Sequence, residues 1–367
     1  MWLKILEADR LRNLSAIHLD LPQGLTMVTG RNAQGKTTLL EGIYLLGTGR
    51  SFRTRSMDEM VGWDGGPLRV AGSVERGSGN CRLAVLVDDG ERNLLIDDVE
   101  HELVDFIGRL DVVDLTHERR GVLRGSPEER RRFLDRGLVG LNPVFLRSLG
   151  EYRRVLRQRN ALLRNSGAGH GIDPVELEAW DQRLARSGAE IRARRAAYVT
   201  RLGGALDEAS RVLFPAGEPI VLRYSPSPTL DEGVDLESGL YAALGRGRAK
   251  DQALGHTFHG PHRDDLVVEL NGIDLRKYGS AGQLRASMIA LKLGKMGLVR
   301  EDRGEPPLFL MDDFDTDIDE VRATALANYL NEGGFQAVVA TSKEKMADDL
   351  GVPFLKIRMD EGVGRVA

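Results

Sequence analysis

Nine residues, GRNAQGKTT from Gly30 to Thr38, constrain this chain more than any other stretch. They fit G-x-x-x-x-G-K-[ST] throughout. They follow a short apolar run, LTMVT (Leu25–Thr29), and open into GKTTLLEGIYLLG, which reads as a helix beginning near Lys36. Strand, glycine loop and helix in that order gather backbone amides at a helix N-terminus, where they cradle phosphate oxygens. Gly30, Arg31, Asn32, Ala33, Gln34, Gly35, Lys36, Thr37 and Thr38 are the candidate residues of that cradle. Lys36 neutralises charge on the outer phosphates, and the Thr37 hydroxyl is placed to ligate magnesium. The expected fold is therefore α/β around a P-loop.

Such a loop calls for a carboxylate on the metal, and DDFDTDIDE (Asp312–Glu320) follows the apolar PPLFLM. A calcium loop is the first alternative, since Asp313, Asp315 and Asp317 hold EF-hand positions one, three and five. It fails because Ile318 stands where the turn needs Gly and Thr324 where a bidentate Glu belongs. A solvated loop is the bland alternative. The magnesium end of a nucleotide site explains more: Asp312 becomes the metal ligand at a strand end. Asp313 becomes the group that orients an attacking water and takes its proton. Asp319 is expected to cap the helix EVRATALANYL.

Composition narrows the setting. The 367 residues are 41% hydrophobic and 29% charged, the profile of a soluble globular chain with room for one large or two moderate domains. The single cysteine, Cys81, excludes an internal disulfide and a cysteine-rich zinc module. MWLKILEADR lacks a signal-peptide layout and no apolar run approaches a membrane span, so a cytoplasmic protein with no membrane partner is expected. Net charge is −4, but from Thr116 to Arg164 thirteen arginines and no lysine face five acids, a local balance of +8.

Strands are expected where Ile17, Leu19 and Leu21 alternate with polar residues, at PLRVAGSV and at CRLAVLVDD. From Ser126 the pattern turns helical. SPEERRRFLDR has Ser126 at N-cap, Pro at the first turn and Glu129 three residues on, a capping box. NPVFLRSLGEYRRVLRQRNALLRN is the next helix. A third starts near Asp173-Pro174, with Leu177, Trp180, Leu184, Gly188, Ile191, Tyr198 and Leu202 at three-four spacing, interrupted by Arg195. About 35 residues at 1.5 Å each would span on the order of 50 Å. Helices packed as an arm and a long coiled coil both fit this pattern. DLVVEL and NGIDL read as a hairpin about Asn271-Gly272, and PPLFLM and FQAVVAT as buried strands. The organisation expected is an α/β core over residues 1–115 and 255–367, interrupted by a helical lobe over 116–254.

GSAGQLRASMIALKLG (Gly279–Gly294) lies between the two nucleotide motifs. Ser280 and Gln283 make a second capping box, which stands either for a capped helix alone or for another helix N-terminus aimed at a phosphate. The order of P-loop, this motif and strand-end aspartate resembles the ABC ATPases. That likeness implies that Ser280, Gly282 and Gln283 of one chain face the nucleotide of a second, so that ATP bridges a homodimer. The match then narrows. LRNLSAIHLDLPQGLTMVTGRNAQGKTTLLEGIYLLGTGRSFRTRS, LRGSPEERRRFLDR, YRRVLRQRNALLR and GPHRDDL (Gly260–Leu266) resemble the RecF family, bacterial recombination-repair ATPases related to SMC heads. The resemblance spans nearly the whole chain. It implies an ABC-type head with an inserted helical arm, slow DNA-stimulated ATP hydrolysis with Mg²⁺, and action at single-strand gaps with RecR and RecO. It also places Arg12 and Asn13 near the nucleotide. Where the family often has S-x-G-Q-Q-R-T, this chain keeps Ser280, Gly282 and Gln283 but has Leu284 and Ala286; FDTDID replaces the usual S-E-L-D context.

The basic segment points to DNA independently. Arg153, Arg157 and Arg164 fall on one helical stripe and Arg147 and Arg154 on another, suited to phosphate contact. No aromatic run interleaves them, so backbone contact with duplex DNA fits better than base stacking. A solvated or internally paired face is the competing reading. Three functions follow: a DNA-dependent ATPase, an ATP-gated DNA-binding scaffold with negligible hydrolysis, and a transporter ATPase subunit, which the arginine-rich insert disfavours.

Overall fold

Period-two alternation makes strands of the first hundred residues, and a helix that is apolar all round is sandwiched between two sheets. The computed structural model of the chain describes residues 1–63, 65–116, 121–165, 172–314 and 318–366. In chain order the strands are β1 (Trp2–Leu11), β2 (Leu14–Asp20), β3 (Leu25–Thr29), β4 (Leu68–Glu75), β5 (Cys81–Asp88), β6 (Glu91–Ile96), β7 (Val99–Glu100), β8 (Val112–Leu115), β9 (Ile220–Ser225), β10 (Asp265–Leu270), β11 (Ile273–Asp274), β12 (Leu308–Met311), β13 (Ala337–Thr341), β14 (Phe354–Asp360) and β15 (Val363–Val366). The α-helices are α1 (Lys36–Thr48), α2 (Leu103–Phe106), α3 (Gly121–Arg124), α4 (Pro127–Leu141), α5 (Phe145–Asn165), α6 (Pro174–Leu213), α7 (Leu236–Leu254), α8 (Leu275–Tyr278), α9 (Ala281–Arg303), α10 (Glu320–Glu332) and α11 (Glu344–Asp348).

Two units divide the chain: residues 1–120, 205–219 and 279–367 form the first, and 121–204 with 220–278 the second. The first holds two six-stranded sheets. One is antiparallel, in the order β2-β1-β4-β5-β6-β7. The other runs β15-β14-β3-β13-β12-β8 and is parallel except for β15. Helix α1 lies in the core between them. Its Leu39, Leu40, Ile43 and Leu46 pack with Leu6, Val70 and Val85 from one sheet and Val28, Leu310 and Val338 from the other. A helix covered on both faces must be apolar around its circumference, as LLEGIYLLG nearly is. Glu41 is the exception and is fully buried.

The division runs differently from the expected 116–254 insert. β9 pairs antiparallel with β10, Ile220 opposite Leu270 and Ser225 opposite Asp265, so residues 255–278 join the second unit. Residues 205–219 join the first, where Arg322 Nε donates to the Leu213 carbonyl at 2.9 Å. The second unit also carries its own sheet, β11-β10-β9, so it is not purely helical. Asn271 (φ 51°) and Gly272 (φ 76°) make the β10–β11 turn with left-handed backbone, the geometry a two-residue hairpin requires.

Helices α5, α6 and α7 close a core of Phe145, Leu149, Tyr152, Val155, Leu184, Ile191, Leu240 and Leu244. The three-four seam of α6 thus meets neighbouring helices. Arg195, the charge interrupting that seam, is buried in a fork with Asp135 at 2.9 and 3.0 Å. Both capping boxes form: Ser126 with Glu129 on α4, and Ser280 with Gln283 on α9.

Candidate functional site

Strand β3 is buried along its length and releases the chain at Gly30, whose φ is 142°. A Cβ on Gly30 would stand 2.5 Å from the Met359 carbonyl oxygen, so only glycine fits. Ala33 (φ 66°) and Gly35 (φ 101°) complete the turn with left-handed backbone. Gly35 is the N-cap of α1 and supplies no side-chain cap. The first-turn amides of a helix have no intrahelical acceptor, and here no cap side chain competes with an anion for them. The buried Lys36 reaches back across the loop, its Nζ donating to the carbonyls of Gly30 at 2.7 Å and Arg31 at 2.9 Å. Gln34 accepts a hydrogen bond from the Glu361 amide, which fastens the loop's outer edge.

Asp312 follows β12, two strands from β3 in the same parallel sheet, with β13 between. The order of strands brings their C-terminal ends to one edge. Thr37 Oγ1 donates to Asp312 Oδ2 at 2.8 Å. Asp313 donates its amide to Asp312 Oδ1 at 3.0 Å and is itself exposed, in left-handed backbone at φ 49°. Such a conformation costs of order 1 kcal/mol or more and is held by the structure around it. A magnesium ion bound to nucleotide takes only one or two protein oxygens and fills its shell with phosphate and water. The Thr37–Asp312 pair has that donor set. Among the described residues no three His, Cys, Asp or Glu side chains gather as an independent metal centre. Asp315, Thr316 and Asp317 lie outside the described residues. Asp319 caps α10, accepting from the Arg322 amide at 3.0 Å.

Arg12 and Asn13, neighbours in sequence, have different surroundings. Asn13 Nδ2 donates to the Ala33 carbonyl at 3.3 Å and Asn13 Oδ1 accepts from Thr38 Oγ1 at 2.8 Å, so it lies against the loop. Arg12 forks instead onto Glu41, at 2.7 Å through Nε and 3.0 Å through Nη2. Glu41 escaped the sequence reading, although a lone acid inside LLEGIYLL is the signal that would have found it.

At the head of α9, Ser280 Oγ accepts from the Gln283 amide at 3.2 Å and the Ser280 amide donates to Gln283 Oε1 at 2.9 Å. Ser280, Gly282 and Gln283 are exposed, and a Cβ on Gly282 would meet nothing within 4 Å.

On α5, Arg147, Arg153, Arg154, Arg157 and Arg164 are all exposed. Arg154 is tied to Glu151 at 2.5 Å, while Arg147, Arg153, Arg157 and Arg164 form no ion pair among the described residues. The rest of the basic segment is partly internal. Arg159 is fully buried against Asp181 at 2.6 Å and Asp251 at 2.7 Å, and Arg130 against Asp265 at 2.5 Å. GPHRDDL lies within this internal network. Asp264 is buried, accepting from Arg192 (2.8 and 3.2 Å), the Ser227 amide (2.7 Å) and the Tyr224 hydroxyl. Burial pushes the His262 imidazole down to about 4; its Nε2 lies 3.0 Å from the Thr257 carbonyl and its Nδ1 2.6 Å from the Tyr152 hydroxyl. A neutral ring donating through Nε2 and accepting at Nδ1 satisfies both partners.

Residues 2–363 match the family model described as the RecF/RecN/SMC N terminal domain. The chain is 32% identical over 358 residues to the DNA replication and repair protein RecF of Enterococcus faecalis, an alignment covering 96% of this chain and 95% of that protein. It is 35% identical over 349 residues to the protein of that description from Myxococcus xanthus, covering 93% and 91%. Among solved structures it matches the recombination mediator protein RecF in a structure described as RecF-ATP, with a TM-score of 0.88 and 27% identity, over 100% of this chain and 99% of that one. A Smc head domain from Pyrococcus furiosus shares the fold, with a TM-score of 0.57 and 14% identity over 100% of this chain and 96% of that one. Among the described residues no helix is long and apolar enough to cross a membrane.

Proposed function

Because this chain belongs to the RecF family of DNA replication and repair proteins, within the wider RecF/RecN/SMC N-terminal domain family, we propose that it is an ATP-dependent DNA-binding protein of recombinational repair, closing as an ATP-bridged homodimer on DNA. The observation that carries this reading is the 2.8 Å approach of Thr37 Oγ1 to Asp312 Oδ2, beside an α1 N-terminus free of any side-chain cap. The loop amides and Lys36 bind the phosphates; Thr37 and Asp312 hold Mg²⁺. The metal, when bound, neutralises phosphate charge and polarises the outer phosphoryl group. Asp313 orients the water that attacks it and accepts its proton. Lys36 turns from the carbonyls of Gly30 and Arg31 towards the phosphates. Asn13 frames the loop's inner side, while Arg12 is held by Glu41 and the Glu59 carbonyl rather than by the loop.

The exposed head of α9, with Ser280, Gly282 and Gln283, supports contact in trans with nucleotide held by a second copy. Arg147, Arg153, Arg157 and Arg164 on α5 are the candidate contacts to DNA phosphates, with Arg154 a weaker one because Glu151 already holds it. RecR and RecO are the partners the family suggests, and a cytoplasmic location follows from the same reading.

A second reading keeps the ATP-gated dimer and DNA binding but makes hydrolysis negligible. Asp313 favours it, being one methylene shorter than Glu and set in left-handed backbone. Phosphate release stimulated by DNA separates the two.

Light scattering tests the main proposal, on the protein alone, with ADP, and with ATP and Mg²⁺, each with and without gapped duplex DNA. A dimer formed only with ATP, binding DNA more tightly in that state, is the expected result. A monomer under every condition rules out action of the α9 motif in trans.

A further inference from the structure

The one carboxylate inside the apolar P-loop helix has more to do than survive burial. Glu41 is fully enclosed, one helical turn beyond Thr37. Its carboxylate accepts from Arg12 Nε at 2.7 Å, from Arg12 Nη2 at 3.0 Å and from the Ser51 hydroxyl, and Arg53 Nη1 stands 3.5 Å from Oε2. Arg12 Nη1 donates to the Glu59 carbonyl at 2.7 Å, so all three guanidinium nitrogens are engaged away from the loop. Arg12 sits in left-handed backbone at φ 51°, at the first position of the two-residue turn that joins β1 to β2 where Leu11 pairs with Leu14. The next residue, Asn13, is consequently turned against the phosphate loop, where it meets Thr38 Oγ1 and the Ala33 carbonyl.

We infer that Glu41 is a positioning residue of the nucleotide site: its carboxylate anchors the Arg12 side chain of the β1–β2 turn, and the anchored turn presses Asn13 against the P-loop. The inference rests on the nucleotide reading proposed above and adds a residue that touches neither loop nor phosphate. It also separates two neighbours. Arg12 is the anchor and Asn13 the member that shapes the loop. Ser51 extends the anchor, its Oγ accepting from the amides of Arg53 at 2.9 Å and Thr54 at 3.1 Å, so the loop after α1 is held by the same carboxylate.

Replacing Glu41 by Gln keeps the volume but puts an NH₂ where the guanidinium fork needs an acceptor, so the fork opens. A purely structural carboxylate and a positioning carboxylate then predict different things. The test is a double-mutant cycle in the full-length protein with Glu41→Gln, Asn13→Ala and the pair. The readouts are affinity for a fluorescent ATP analogue with Mg²⁺ and the melting temperature without nucleotide. Wild type and Lys36→Ala serve as controls.

The expected result is a loss of affinity of about ten-fold for Glu41→Gln, shrinking below about two-fold when Asn13 is already Ala, whereas the fall in melting temperature that follows from breaking a buried pair is the same in both backgrounds. Independent, multiplying losses overturn the inference, as does unchanged affinity in Glu41→Gln. If Glu41→Gln does not fold, Arg12→Lys replaces it, keeping the charge but losing the fork, and the same dependence on Asn13 is required. Nucleotide binding by wild type that Lys36→Ala abolishes leaves the site reading standing whatever the cycle shows. No nucleotide binding by wild type overturns the site reading and this inference together.

Discussion

The two units bury charge in opposite ways. The first surrounds its P-loop helix with an apolar core and admits one buried carboxylate, Glu41, into that helix. Its candidate phosphate site rests on loop amides and an uncapped helix N-terminus, with the side chains of Lys36, Thr37 and Asp312 set around them. The second unit threads ion pairs through its interior. Arg159, Arg192 and Arg195 are buried with Asp181, Asp251, Asp264 and Asp135 as partners. A change among the site side chains is expected to alter ligand binding more than folding, whereas a buried pair fails once either partner leaves. An arginine-rich sequence is therefore no measure of basic surface until the inward-facing arginines have been set aside.

The sharpest way to break this contrast is Asp264→Ala. It leaves Arg192 buried without its fork, and the second unit is expected to lose about 3–5 kcal/mol in urea unfolding. A loss under 1 kcal/mol would mean the interior charges are better solvated than their burial indicates. On the other side of the comparison, Lys36→Ala is expected to leave unfolding nearly unchanged and to lower ATP turnover by roughly 10²–10³-fold in a phosphate-release assay.

Acidification tests the interior of the second unit next. The folded His262 titrates at about 4, below its ordinary value of 6.5, because burial disfavours the imidazolium. The unfolded chain therefore takes up a proton first as pH falls. This contribution is fully present above pH 6.5 and is lost on descending towards pH 4, to at most about 3 kcal/mol. Unfolding followed across that window in wild type and His262→Gln should show the slope attributable to this residue disappear in the variant. Equal slopes would contradict the placement of His262 as a neutral ring.

Replacing Arg153 and Arg157 by Gln asks what remains for the surface. Both form no ion pair among the described residues, so the log–log salt slope of DNA binding should fall by about 2, with stability unaffected. The smallest effect belongs to Ser126→Ala. Loss of its half of the α4 capping box should cost about 1 kcal/mol of the second unit's stability in urea unfolding.

What the sequence made legible was local. The P-loop, the strand-end Asp312, the Asp319 cap and both capping boxes are written within a few residues, and each formed where its chemistry placed it. The pairings that organise the second unit are not written that way. Arg159 finds Asp181 and Asp251 at sequence separations of 22 and 92, and β9 finds β10 across the whole of α7. No periodicity marks such partners. The lobe boundary expected at residue 255 differed for this reason, and GPHRDDL could not be assigned until Asp264 was seen to hold Arg192, Tyr224 and Ser227 together. Glu41 and Arg12 lie between these cases: the acid stands out against its apolar helix, but its partner is 29 residues away.

Thr37 and Asp312 are proposed to hold the metal of a bound nucleotide together. Calorimetric titration of ATP with and without Mg²⁺, into wild type and Asp312→Asn, tests it most directly. Mg²⁺ is expected to strengthen ATP binding to wild type, and Asp312→Asn to lose this gain while keeping the metal-free affinity supplied by the loop and Lys36. An undiminished response to Mg²⁺ in Asp312→Asn would contradict it.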